Sequence, residues 1–103
     1  MSAGPIRHTV AFRLRHAPGS AAERDFLAAL AQLATIAGVQ RFEILRQTGR
    51  KNDFSFGASM EFADPAAYEA YNVHPAHVAF VQQRWIPEVA GFLEIDYEPL
   101  APG

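Results

Sequence analysis

Residues 6–14, which read IRHTVAFRL, decide how the rest of the chain is interpreted. Apolar side chains fall on the even positions of this stretch, and arginine, threonine and alanine fall between them. This two-residue period predicts a β-strand with one buried face. His8 falls on the apolar side, so the pattern places an imidazole beside the expected core.

The segments that follow alternate between helix and strand signals. Ser20 and Glu23 form a capping box, and the apolar positions after it predict a helix that ends near Gly38. Strands are predicted over residues 39–47 and 54–62, with a polar turn over 49–53 between them. These two strands are expected to form a hairpin.

The second half of the chain contains two helix starts in which a capping residue is followed by proline. Asp64-Pro65 and His74-Pro75 each place a capping side chain before a proline at the first helical position, and Pro87 is expected to disturb the second helix. Alternation of apolar and acidic residues then predicts a last strand over 93–98, and residues 99–103 are expected to be a frayed tail.

The element order predicts an α+β fold of the ferredoxin-like βαββαβ type, a four-stranded antiparallel sheet with helices on one face. The other sheet face is expected to carry a set of residues too apolar for water, namely Thr9, Ala11, Phe42, Ile44, Gly57 and Ser59. A second copy of the chain would cover that face, which predicts a homodimer whose sheets close into an α/β barrel.

Composition limits the size and the partners of the protein. The 103 residues are half hydrophobic and 12% aromatic, which predicts one domain over 1–103 with an ordered core over about 5–98. A net charge of −2 without a basic stripe argues against nucleic acid. The chain has no cysteine and no apolar stretch that would span a bilayer, so we expect a cytoplasmic protein that binds no membrane.

Three segments carry a resemblance to a known family: residues 6–14, the stretch YNVHPAHVAF over 71–80, and DYEP over 96–99. With these motifs the chain resembles the Dabb family, the stress-responsive dimeric α/β-barrel domains, over nearly its whole length. The resemblance implies the fold and the dimer. It leaves function open, since the family includes both enzymes and proteins known only for their association with stress.

The chain is also similar to the olivetolic acid cyclase-like members of this family, which close a linear polyketide into a ring by aldol condensation. By this resemblance His77 and Tyr71 correspond to the catalytic histidine and tyrosine, and His8 corresponds to a histidine of the first strand. Phe56 stands where those enzymes have another pocket histidine. The first helix offers Phe26, Leu27 and Leu30 where they have a pocket tyrosine.

Aldol chemistry needs a base next to a carbonyl and a donor for the developing oxyanion. His77, near the start of a helix whose dipole disfavours imidazolium, is the candidate base, and Tyr71 is the candidate donor. The ligand is expected to be a small apolar carbonyl or polyketide-type compound, and the candidate substrate-binding residues are His8, Phe26, Leu30, Phe56, Phe80 and Trp85. No cofactor is predicted. No metal site is predicted either, because Pro75 keeps His74 outside the helix that carries His77.

Two other functions remain open from the sequence. The first is a stress-responsive dimer that binds a ligand without changing it, in which His77 and Tyr71 serve only packing and hydrogen bonding. The second is a cofactor-free monooxygenase of the dimeric-barrel group, with Asn72, His77 and Trp85 as its candidate residues. The shape of the pocket beside His77 distinguishes a filled core from a binding site.

Overall fold

A computed structural model describes residues 4–101 of the chain. Its strands are β1 (Ile6–Leu14), β2 (Gln40–Arg46), β3 (Phe56–Phe62) and β4 (Val89–Tyr97). Its helices are α1 (Ala21–Ala31), α2 (Pro65–Asn72), α3 (Pro75–Phe80) and the short α4 (Ile86–Glu88). A 3₁₀ turn over Gln32–Thr35 extends α1, and a π-helical turn over Val81–Trp85 joins α3 to α4.

The strands form one antiparallel sheet in the order β2-β3-β1-β4, with β1 in the interior. This is the predicted ferredoxin-like α+β fold. The register places His8 opposite Met60 of β3 and opposite Asp96 of β4. One face of the sheet, here called the covered face, packs against the helices, and the opposite face is called the open face.

The core lies between the covered face and the helices. Alternate residues of β3 are buried from Phe56 to Phe62, as the two-residue period predicts. Phe12 of β1 and Phe26 of α1 are fully buried and lie in the same hydrophobic cluster. Their ring centroids are 6.0 Å apart, a distance typical of packed aromatic pairs.

The helix starts are formed by the predicted capping residues. The Ser20 hydroxyl accepts a hydrogen bond from the Glu23 N–H at 3.1 Å, and the Asp64 carboxylate accepts one from the Ala67 N–H at 2.8 Å. His74 caps α3 in a similar way, with Nδ1 accepting the Ala76 N–H at 3.0 Å. These bonds satisfy backbone donors that have no partner within the helix.

Several element boundaries differ from the predictions: β2 spans Gln40–Arg46 rather than 39–47, and β3 spans Phe56–Phe62 rather than 54–62. The α-helix of α1 ends at Ala31, and Gly38 takes a positive φ of 92° after the intervening 3₁₀ turn. The last strand begins at Val89, which pairs with Leu14, rather than at Leu93. Gly91 obscures this start in the sequence, because it interrupts the alternation that marks a strand. The predicted tail includes residues 102–103, which lie outside the described residues.

The open face differs in part from the predicted one. Thr9 pairs with Ser59, and Ala11 pairs with Gly57, as expected. The placement of Phe42 and Ile44 on this face was wrong, because both pack against the core cluster. A register shift between Gln40 and Glu43 accounts for the error, since one irregular position changes the face that later side chains occupy. The exposed apolar residues that lie on this face are Leu45, Leu93, Ile95 and Tyr97.

No helix within residues 4–101 combines the length and the apolar composition that crossing a membrane requires.

Candidate functional site

A cavity of about 410 Å³ lies between the covered face and the segment that runs from α2 to α4. Most of its lining is apolar, and the larger apolar side chains are Leu30, Leu33, Met60, Phe80, Trp85 and Phe92. Its polar lining residues are His8, Tyr71, Asn72, His77 and Glu94. An apolar cavity with a few convergent polar groups is the usual form of a small-molecule site.

The structure brings most of the predicted site residues together. The cavity lining includes His8, Leu30, Tyr71, His77, Phe80 and Trp85. It does not include Phe26 or Phe56, which were also expected to bind substrate. Phe26 lies in the core 5.6 Å from the Phe80 ring, and Phe56 lies 5.7 Å from the Phe12 ring. Because these phenyl rings interlock with their neighbours, they leave no room for a ligand in that part of the core.

Tyr71 and His77 form a closely packed pair. Tyr71 lies in the last turn of α2, His77 lies in α3, and their ring centroids are 4.4 Å apart. The His77 Nδ1 lies 3.1 Å from the backbone carbonyl oxygen of Asn72. Since a carbonyl oxygen only accepts, Nδ1 carries the proton in this bond, and Nε2 is left with a lone pair in the neutral ring.

The environment of the pair favours a neutral base and a protonated donor. Burial lowers the pKa of the His77 imidazole, and the hydrogen bond to the Asn72 carbonyl opposes that change. Burial, and after it the negative charge of Glu94, raises the pKa of the Tyr71 phenol far above its usual range. At neutral pH the cavity therefore holds a neutral imidazole beside a phenol that keeps its proton.

A second hydrogen-bonded group adjoins the cavity at His8. The His8 Nδ1 lies 2.5 Å from Asp96 Oδ1, and the Tyr68 hydroxyl donates to Asp96 Oδ2 at 2.7 Å. The Tyr68 oxygen also lies 3.0 Å from His8 Nδ1. An ionised carboxylate only accepts, so Asp96 fixes the proton of His8 on Nδ1 and leaves Nε2 for a ligand.

Sequence reasoning missed Tyr68, Glu94 and Asp96 as site residues. The sequence pattern places Tyr68 in a helix and Glu94 and Asp96 opposite the apolar residues of the last strand, and it predicts no site role for them. The strand register would have found the acidic pair, because His8 lies opposite Asp96 and the neighbouring even residue, Val10, lies opposite Glu94. Burial raises the pKa of the Tyr68 phenol, and its hydrogen bond to Asp96 raises it further.

Three residues beside the cavity have the side chains of a metal site. His8, Glu94 and Asp96 each offer a ligand atom, and the three atoms lie within 4.8 Å of one another. However, His8 Nδ1 and both Asp96 oxygens already take part in the hydrogen bonds with each other and with Tyr68. The geometry therefore favours a hydrogen-bonded network that orients His8 over a set of free metal ligands.

Solved structures show how closely the chain resembles other proteins. A Dabb family protein with a ferredoxin-like fold from Mesorhizobium loti is 58% identical, with a TM-score of 0.94, and the match covers 95% of this chain and 99% of that one. A dimeric ferredoxin-like protein of unknown function from Thermobifida fusca is 21% identical, with a TM-score of 0.75 and coverage of 94% and 93%. The fold is thus shared well beyond close relatives.

A hydroxynitrile lyase from Passiflora edulis also shares the fold, with 17% identity, a TM-score of 0.82 and coverage of 96% and 98%. No curated protein matches the chain. The family model described as the stress responsive A/B barrel domain, Dabb, matches residues 6–99. From this match and the identity to the Mesorhizobium loti protein, the chain belongs to the Dabb family.

Proposed function

We propose that the cavity is the active site of a small cofactor-independent enzyme that acts on an apolar carbonyl compound of the polyketide type. His77 serves as the base, and Tyr71 serves as the hydrogen-bond donor that stabilises the oxyanion. The observation that carries this proposal is the pairing of the His77 imidazole with the Tyr71 phenol, ring centroids 4.4 Å apart, beside an open cavity of about 410 Å³. Acid–base chemistry next to a carbonyl needs that pair of groups.

In the proposed reaction the substrate carbonyl oxygen accepts a hydrogen bond from the Tyr71 hydroxyl. His77 Nε2 takes a proton from the carbon next to the carbonyl, which leaves an enolate and an imidazolium. The enolate carbon attacks a second carbonyl of the same molecule, and the proton on His77 goes to the new alkoxide. The reverse sequence of steps cleaves a carbon–carbon bond, which is the lyase direction.

The charges around the pair support these steps. The high pKa of Tyr71 keeps its hydroxyl a donor throughout the reaction, and the negative charge of Glu94 stabilises the imidazolium form of His77. The apolar lining strengthens both effects, since it limits screening by water. The hydroxynitrile lyase from Passiflora edulis supports lyase chemistry on this fold.

The test measures proton abstraction directly. 4-Phenylbutan-2-one is incubated with the protein in D₂O, and ¹H NMR follows deuterium uptake next to the carbonyl. The wild type and a His16→Ala control are expected to accelerate exchange, because His16 lies outside the cavity lining and pairs with Glu88 at 2.6 Å. His77→Ala should fall to the uncatalysed rate, a loss of about 10²- to 10⁴-fold.

Other outcomes of the same assay separate the competing functions. Equal exchange in the wild type and in His77→Ala would contradict the role of His77 as base. Binding of the ketone without exchange would favour the non-catalytic ligand-binding dimer instead. The open cavity argues only against a dimer whose pocket is filled by packing, since Phe26 and Phe56 pack beside the cavity and do not fill it.

The monooxygenase alternative has one observation in its favour, which is that Asn72, His77 and Trp85 all line the cavity. An enzyme of this kind would consume oxygen when it is given a quinol. Oxygen uptake that depends on Asn72 and His77, together with absent ketone exchange, would favour it over the aldol-type enzyme.

We also propose that the protein is a homodimer held through the open face. Leu93, Ile95 and Tyr97 of β4 are between 39% and 52% exposed, and the similar protein from Thermobifida fusca is dimeric. Contiguous apolar surface of this kind is typical of an interface. Ile95→Lys should yield a monomer in sedimentation velocity, whereas Leu100→Lys, at a 94% exposed position of the tail, should remain dimeric.

A further inference from the structure

The polar end of the cavity carries negative charge. Glu94 lines the cavity, its Oε2 lies 3.6 Å from His8 Nδ1, and Asp96 accepts a hydrogen bond from that same nitrogen. Two carboxylates and one imidazole therefore meet at this end, so acidic groups outnumber basic ones there. Among residues 4–101, no lysine or arginine lines the cavity.

We propose that Glu94 sets the charge specificity of the cavity: it admits neutral carbonyl compounds and excludes carboxylates of the same shape. This inference rests on the function proposed above and names the substrate class of that site. It assigns Glu94 a role in selecting ligands that is separate from the roles of His77 and Tyr71.

The position of Glu94 supports this role. Its side chain is 51% exposed and also lines the cavity, so the carboxylate lies where the cavity meets solvent. Its charge reaches the groups that would hold the substrate, because it raises the pKa of Tyr71 and acts in the same direction on the pKa of His77. A ligand oxygen placed against Tyr71 therefore lies within the field of Glu94.

An anionic ligand would meet two unfavourable conditions in this cavity. It would lose hydration against a mostly apolar lining, and it would gain no cationic side chain in return. Repulsion by Glu94 adds to that cost, and the partial enclosure of the cavity weakens screening by salt. A neutral ketone avoids both conditions and still accepts a hydrogen bond from Tyr71.

The experiment compares two ligands that differ in one group. 4-Phenylbutan-2-one and 3-phenylpropanoate share a phenylethyl chain and a carbonyl, and a methyl group of the first replaces an anionic oxygen of the second. Dissociation constants are measured for each by NMR titration. The wild type should bind the ketone about 100-fold more tightly, and Glu94→Gln should reduce this ratio about tenfold by binding the anion better.

A matched control removes a carboxylate elsewhere on the same side of the molecule. Glu69 lies on α2, is exposed and does not line the cavity, so Glu69→Gln should keep the wild-type ratio. Thermal unfolding verifies that each variant is folded. Glu94→Leu, which also removes the charge, takes the place of Glu94→Gln if that variant is unstable.

Three results would overturn the proposal: a wild type that binds the anion as tightly as the ketone, a ratio that Glu94→Gln leaves unchanged, or no binding of either ligand at millimolar concentration. Failure of the proposed function has a different signature. The ketone would then bind with the predicted charge preference and show no deuterium exchange.

Discussion

The covered face has two ends that differ in how their aromatic rings pack, although His8 and Phe12 point to the same side of β1. Around Phe12, the rings of Phe26 and Phe56 lie 6.0 and 5.7 Å away and are almost completely buried. Around His8, the rings leave a cavity of about 410 Å³. We call these the closed end and the open end.

The difference indicates that one sheet face is tightly packed at one end and leaves space for a ligand at the other. Trp85 lies at the boundary, since its ring is 5.1 Å from Phe12 and it also lines the cavity. At the closed end, interlocking aromatic rings leave no room for a ligand. At the open end, hydrogen bonds hold His8 and His77 in fixed orientations beside empty space.

The largest effect is expected from truncating a ring at the closed end. Phe26→Ala should lower the free energy of unfolding by about 3–5 kcal/mol, because it removes a fully buried ring and leaves a void. His77→Ala at the open end should cost about 1 kcal/mol, the usual value for a lost hydrogen bond. Urea denaturation of both variants measures the contrast, and equal losses would show that the two ends do not differ in this way.

A smaller effect is expected from filling the open end. Ala58 of β3 is 3% exposed and lines the cavity, so a larger side chain at this position should occupy ligand space. Ala58→Leu should weaken binding of 4-phenylbutan-2-one about tenfold in NMR titration, which corresponds to about 1.4 kcal/mol. Unchanged affinity would mean that the ligand binds outside the cavity.

The sequence predicted the strands and helix starts better than it separated the two ends, since Phe26 and Phe56 of the closed end were expected to bind substrate. The two-residue periods of β1 and β3 identified the covered face, and the capping residues Ser20, Asp64 and His74 marked the helix starts. These signals are local, because a strand or a cap is specified by residues within a few positions of one another. The fold class followed from their order.

The open end depends on pairings between distant segments. His8 and Asp96 are far apart in sequence, and only the register of β1 against β4 brings them together. In β4, Glu94 and Asp96 lie on the covered face while Leu93 and Ile95 lie on the open face. Both acidic side chains stay partly exposed, at 51% and 39%, and still reach His8, so the alternation along β4 alone does not reveal this contact.

The smallest effect is expected in the pH dependence of stability, to which His77 at the open end contributes and the apolar closed end does not. Burial lowers the pKa of His77 in the folded protein, whereas the unfolded chain has an imidazole pKa of about 6.5. As pH falls below about 6.5, the unfolded chain binds a proton that the folded protein does not, so the free energy of unfolding decreases until the folded pKa is passed. His77→Gln should remove this contribution in urea titrations at several pH values. An identical pH profile in the variant would contradict the lowered pKa.

The protonation of the His77 ring is the most direct test of the account, because a base at the open end requires a neutral imidazole with a free Nε2. Long-range ¹H–¹⁵N spectra of protein labelled with ¹⁵N-histidine distinguish the two ring nitrogens at neutral pH. We expect His77 to have a protonated Nδ1 and an unprotonated Nε2 whose resonance shifts when 4-phenylbutan-2-one is added. An imidazolium, a ring protonated on Nε2 alone, or an Nε2 resonance that does not respond to the ketone would contradict it.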